Sequence, residues 1–210
     1  MKNPKFAATS EARPGRQIRN PKYLVPHSRD ESSRRPRSGF WFRISNFEFR
    51  IFLLLFLLAG CAGPPPYVYH YIPGRTAVLR DGYAIAPPAA PSDVQVAVAA
   101  ANRIAGLPYI YGAGHSSAEF DTAYDCSGAA SFVLRAAGLL DSPIPSRGFR
   151  HYGEGGPGSW ITIYARRDHV FLVIAGLRFD TGWTGGPRGP QWTTRSRPAT
   201  GCVLRHPERE

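Results

Sequence analysis

Only three cysteines, one methionine and three lysines occur in the 210 residues, and no apolar run reaches 18 residues. Three cysteines cannot build a disulfide scaffold. The apolar runs are too short for a membrane-spanning helix of normal length. No CxxC, HxxxH or related ligand spacing is present, so a zinc site is not expected. No segment repeats, which sets aside solenoids and arrays. The three lysines are Lys2, Lys5 and Lys22, all near the start. Residues 1–60 hold 12 Lys/Arg against 4 Asp/Glu, a net +8; residues 61–210 hold 14 Arg against 11 Asp/Glu, a net +3. The overall +11 therefore belongs to the front end, and the rest offers little basic surface to a nucleic acid. Apolar residues at 43% and charged residues at 20% are enough for a packed core. With 22 Gly and 20 Pro, loops are expected to be plentiful.

Residues 1–50 show no sustained periodicity and are rich in Arg, Pro and Ser. An apolar stretch follows, from Ile51 to Ala59, with Arg43 and Arg50 ahead of it. Its length and flanks match the apolar region of a signal peptide. The stretch ends Leu58-Ala59-Gly60-Cys61, which resembles the lipobox of bacterial lipoproteins. That resemblance implies lipidation of Cys61, cleavage just before it, and a membrane held through the lipid. Ala62 differs from the Asp-type inner-membrane retention signal, which suits an outer membrane where the cell has one. The 50-residue leader is longer than such signals need, which points to a functional start downstream at a non-Met codon. Residues 62–91, opening Ala62-Gly63-Pro64-Pro65-Pro66, read as an extended tether; a first edge strand near Tyr67–Ile72 is the other option.

The folded domain is expected over 92–207. Ser92-Asp93-Val94-Gln95 fits a capping box, with Ser92 as N-cap and Gln95 at the third helical position. Val94, Val98, Ala101 and Ile104 recur at helical spacing, and Gly106 with Pro108 stops the helix. A second helix is predicted from Cys126 to about Ala137, with Asp125 as N-cap and Gly138 as stop. From Trp160 the texture becomes β. Strands are predicted at Trp160–Tyr164, His169–Ile174, Arg178–Thr181 and Cys202–Arg205. Helices first and strands afterwards predict an α+β domain with an antiparallel sheet.

Cys126 stands out chemically. A cysteine at a helix start faces the positive end of the helix dipole and unpaired N–H groups. Such a place favours thiolate, the nucleophilic form. The small neighbours Ser127 and Gly128 would let a substrate backbone come close. His169 opens an apolar strand and is the candidate base. Asp180 on the next strand is the candidate group to orient its ring. From residue chemistry alone, Cys126 reads equally as a core residue or as one half of a disulfide with Cys202, and His169 as a core histidine.

Pro108-Tyr109-Ile110-Tyr111-Gly112, then Asp125-Cys126-Ser127-Gly128 opening a helix, then His169-Val170 opening a strand, resembles the NlpC/P60 family over roughly 93–182. The resemblance implies a papain-like α+β fold and a cysteine peptidase. It implies hydrolysis of peptidoglycan stem peptides outside the cytoplasm, commonly at the γ-D-glutamyl–diamino acid bond. It places Cys126 as nucleophile, His169 as base and Asp180 as third member, where the family more often has His. Tyr111 falls on the family's active-site tyrosine, and Asp125 and Ser127 on positions that contact the substrate peptide. No cofactor is implied, and a monomer is expected. The family's Gly-Asp-Leu stretch before the His strand is absent, and the loop His115–Tyr124 is longer than usual. That loop offers His115, Glu119 and Asp121 to a specificity pocket or to solvent. The Gly- and Arg-rich segment Trp183–Trp192 reads as a cleft wall or a surface loop. The same parts also permit an envelope lipoprotein that binds wall peptides without cutting, or a related thiol amidase or acyltransferase.

Overall fold

The computed structural model describes residues 63–116 and 120–209. The lipobox with Cys61, and Glu119 of the long loop, lie outside the described residues. Two short strands come first, β1 (Val78–Arg80) and β2 (Tyr83–Ile85), paired as an antiparallel hairpin. Helix α1 (Ser92–Ile104) and helix α2 (Cys126–Ala136) follow, then the single turn α3 (Ser146–Phe149). The remaining strands are β3 (Glu154–Gly155), β4 (Ile161–Ala165), β5 (Val170–Ile174), β6 (Leu177–Asp180), β7 (Gln191–Thr193) and β8 (Val203–His206). They form one sheet in the order β3-β8-β4-β5-β6-β7, antiparallel throughout. The fold is α+β.

The sheet follows from its apolar strands. Val170-Phe171-Leu172-Val173-Ile174 has no polar residue, and a strand like that is stable only with both faces covered. Alternation sends Val170, Leu172 and Ile174 to one face, where they join Ile161, Ile163, Leu177 and the buried side of both helices. Burying each such aliphatic side chain contributes roughly 1.5–3 kcal/mol. Phe171 and Tyr164 go to the other face and stack there, with ring centroids 4.5 Å apart.

That second face explains a departure from the expected tether. From Tyr67 on, the Pro-rich segment lies on the domain. Tyr67 is buried and packs with Tyr164, Phe171, Ala199 and Cys202. Its backbone exchanges two hydrogen bonds with Arg197, at 2.9 and 3.0 Å. Its hydroxyl donates to the Gly176 carbonyl and accepts from the Arg178 N–H. Without this cover, two aromatic rings on the sheet would face water. The β1–β2 hairpin also belongs to the former tether region and was not anticipated.

The expected capping box is not formed. Pro91 precedes the helix and its carbonyl accepts the Gln95 N–H, while the Gln95 side chain turns back to the Ala90 carbonyl. Helix α2 begins as expected. Asp125 is its N-cap and accepts the Gly128 N–H at 2.7 Å. Gly138, at φ +69°, follows its end.

Candidate active site

Three elements converge on Cys126. Helix α2 carries the thiol at its first position, partly exposed. His169 immediately precedes β5, and its ring is near enough to Cys126 for the thiol to act on its protonation. Asp180 ends β6, and its Oδ1 lies 2.8 Å from His169 Nε2. With Nε2 on the carboxylate, Nδ1 is the ring atom left for the thiol. Strands β5 and β6 are antiparallel neighbours, so the sheet itself sets the His–Asp distance. Behind the thiol, α2 packs against β5 and β6 and leaves a void of only about 10 Å³. That space holds no more than a single water, so the pair is shielded on its inner side.

Burial by itself would lower the pKa of His169. The Asp180 carboxylate, accepting the ring N–H, and the nearby Cys126 together outweigh it and raise the pKa above the ordinary histidine value. The imidazolium is therefore favoured to a higher pH than in a free histidine.

Asp180 is fully buried and held from three sides. The Thr181 N–H donates to Oδ1 at 2.8 Å. Arg197 Nη1 donates to Oδ2 at 2.6 Å. Arg178, also fully buried, brings Nε to 3.5 Å from Oδ2. Two guanidinium groups lie on one oxygen and leave the other aimed at His169. Arg197 is in turn set by the Tyr67 backbone pairing and by the Phe171 ring, 5.2 Å from its guanidinium. The two arginines and Thr181 were not foreseen as site residues. Their only signal in the sequence was an arginine two positions before Asp180 and a threonine right after it.

A second cluster holds the helix start. Asp125 is buried. Its Oδ1 accepts from the Gly128 N–H and from Ser127 Oγ at 3.0 Å, and lies 3.1 Å from His115 Nε2. Its Oδ2 accepts the Gly112 N–H at 2.9 Å. Ser127 is buried too, with Oγ 3.2 Å from His115 Nε2. Both side chains thus bond within the chain. Gly128 differs from its expected role. A Cβ there would overlap the Ala113 carbonyl and come within 2.8 Å of the Gly114 Cα. The room at Gly128 is taken by the chain's own Ala113–Gly114 loop, which also accepts the Asp125 N–H.

The tyrosines change places. Tyr111 is 88% exposed, whereas Tyr109 stands in the cleft beside His169. Burial raises the Tyr109 pKa, with nearby Cys126 and Asp125 adding to the effect. The signal in the sequence is the Pro108-Tyr109 pair, two residues before Tyr111. In the long loop, His115 turns inward to Asp125, while Asp121 accepts from Ser116 Oγ at the surface.

Cys126 and Cys202 are both free thiols, so no disulfide joins them. Burial pushes the Cys202 thiol pKa up, away from reactivity. Among the described residues, no group of three or more His, Cys, Asp or Glu is arranged to hold a metal ion. No helix among them is long and apolar enough to cross a membrane.

His169 opens on a cleft of about 290 Å³, lined also by Tyr109, Thr181, Trp183, Arg188 and Arg197. A larger hollow of about 640 Å³ between α1 and α2 contains no histidine and no cysteine. The smaller cleft is therefore the one with chemistry beside it. No protein-family model matches the chain, and no curated protein matches it either.

Proposed function

We propose that this protein is a cell-envelope cysteine endopeptidase with a papain-like domain of the NlpC/P60 kind. The observation that carries the reading is the Cys126–His169–Asp180 arrangement: a thiol at a helix start, beside an imidazole that a buried carboxylate holds in place.

His169 takes the thiol proton, giving a thiolate–imidazolium pair. The thiolate attacks the carbonyl carbon of the scissile amide. Backbone N–H groups at the start of α2, that of Cys126 among them, hold the oxyanion. The imidazolium then gives its proton to the leaving amine, and the acyl group remains on sulfur. Water, deprotonated by His169, attacks the thioester and releases the acid. Asp180 keeps the ring in one tautomer and stabilises its charged form. No step requires a metal or an organic cofactor.

The substrate in this reading is a peptidoglycan stem peptide, cut at the γ-D-glutamyl–diamino acid bond. Tyr109 and the loop beyond β6 form the walls that would grip it. A lipid on Cys61 would hold the domain at a membrane outside the cytoplasm.

The test incubates the full chain with defined stem peptides, beside a Cys126→Ala version, and weighs the products by mass spectrometry. Cleavage that disappears in Cys126→Ala supports the reading, and the fragment masses identify the bond. Intact peptides in both samples, with a Cys126 thiol that a mild alkylator cannot modify, would leave a protein that binds without cutting.

A further inference from the structure

The loop joining β6 to β7 is built rather than loose. At its first end, buried Arg178 donates to the Trp183 carbonyl at 2.5 Å. Its base is closed by the Gly182 N–H on the Arg188 carbonyl, at 2.8 Å. At its far end, the Pro190 carbonyl accepts the Gly106 N–H at 2.8 Å. Gly189 lies flat on the segment that leads to Tyr109; a Cβ there would overlap the Leu107 carbonyl oxygen. These anchors seat Arg188 on the cleft wall near Tyr109, close enough for its charge to act on the tyrosine hydroxyl.

The cleft wall carries two guanidinium groups and no carboxylate. They are not equivalent. Arg197 is committed to Asp180 and is largely buried. Arg188 is exposed and makes no ion pair among the described residues. An unpaired guanidinium on a backbone-anchored wall, in the same cleft as His169, attracts an anion, and its planar fork suits a carboxylate. Trp183, 59% exposed on the same wall, offers a flat apolar face beside it.

We propose that Arg188 forms a carboxylate-binding subsite, so that the preferred substrate bears a free carboxylate next to the bond presented to Cys126. For a γ-glutamyl peptide that group is the glutamyl α-carboxylate. The same peptide with an α-carboxamide keeps its shape but has no charge to offer. This inference rests on the endopeptidase reading for its choice of peptide, but not on turnover.

The test therefore measures binding. The full chain carrying Cys126→Ala is titrated by calorimetry with two γ-D-glutamyl–diamino acid peptides, one with the free α-carboxylate and one with the α-carboxamide. The free acid should bind roughly 10-fold tighter, the size expected for a charge-assisted contact partly open to water. Adding Arg188→Gln should narrow that ratio to within about 3-fold, and Arg188→Lys should restore part of it. Circular dichroism and a thermal melt check that the variants fold. Equal binding of both peptides by the parent, a ratio untouched by Arg188→Gln, or no binding of either peptide overturns the subsite. Cleavage is scored separately with Cys126 intact. Turnover with no preference for the free acid sinks the subsite and keeps the peptidase. An Arg188-dependent preference without turnover does the reverse.

Discussion

Two buried aspartates, each within hydrogen-bond reach of a histidine, flank the thiol. Asp125 lies 3.1 Å from His115, and Asp180 lies 2.8 Å from His169. The pairs look alike, but their remaining partners make them different devices. Asp125 is satisfied chiefly by neutral donors: the Gly112 and Gly128 N–H groups and the Ser127 hydroxyl. It is a helix cap that ties the Gly112–Gly114 turn to the start of α2. Asp180 is compensated by two arginine cations, one fully buried and one nearly so. It is a fixed negative charge aimed at a ring. The charge balance around each carboxylate, rather than the His–Asp contact, decides its role.

The sharpest break of this comparison is at Asp180. Asp180→Ala leaves Arg178 and Arg197 without their counter-charge in the interior, and chemical denaturation should show a loss of about 3–5 kcal/mol. Asp180→Asn keeps the shape and separates charge from packing; kcat/KM on a stem peptide should fall roughly 100- to 10,000-fold. Its pH profile should move as well. Asp180 raises the His169 pKa against burial, so the imidazolium survives to higher pH in the native protein. Removing the charge should bring the alkaline limb of kcat/KM to lower pH. An unmoved limb would mean that Asp180 does not act on His169.

A smaller effect is expected at the other aspartate. Asp125→Ala removes an N-cap and leaves the Gly112 N–H without its acceptor, for a loss of about 1–3 kcal/mol in the same denaturation assay. Its alkaline limb should stay in place. Equal losses for Asp125→Ala and Asp180→Ala would erase the distinction between the two sites. The smallest effect belongs to His115, which is partly exposed and bonds to groups that keep other partners. His115→Ala should cost no more than about 1 kcal/mol. A larger loss would make His115 a structural part of the cap.

Much of the central fold was legible in the residues. Asp125 before Cys126, and Gly138 after Ala137, bound α2 through cap chemistry that acts within a few residues. Val170–Ile174 announces a buried strand because nothing polar interrupts it, and Ile161–Tyr164 reads as a strand from its β-branched and aromatic residues. The shorter elements were not legible. β3, β7 and the β1–β2 hairpin have two or three residues each and exist because a neighbour pairs with them. The tether reading of 62–91 followed from its prolines, which describe a backbone but not what that backbone lies against. Tyr67 docks because β4 and β5 present Tyr164 and Phe171 on a face that α1 and α2 do not cover.

The same division runs through the site. Local sequence determined that a cysteine opens a helix behind an aspartate cap, and that a histidine stands at the head of an apolar strand. Capping and burial are decided by near neighbours and by hydropathy, so they can be read along the chain. Tertiary structure alone decided that Tyr109 and not Tyr111 stands in the cleft. It also decided that Arg197, brought in by its pairing with Tyr67, shares Asp180 with Arg178, and that Arg188 on the same cleft wall makes no ion pair among the described residues. Those choices depend on which distant charge compensates which, and Coulomb partners in a folded interior are assigned by distance in space, not by position in the chain.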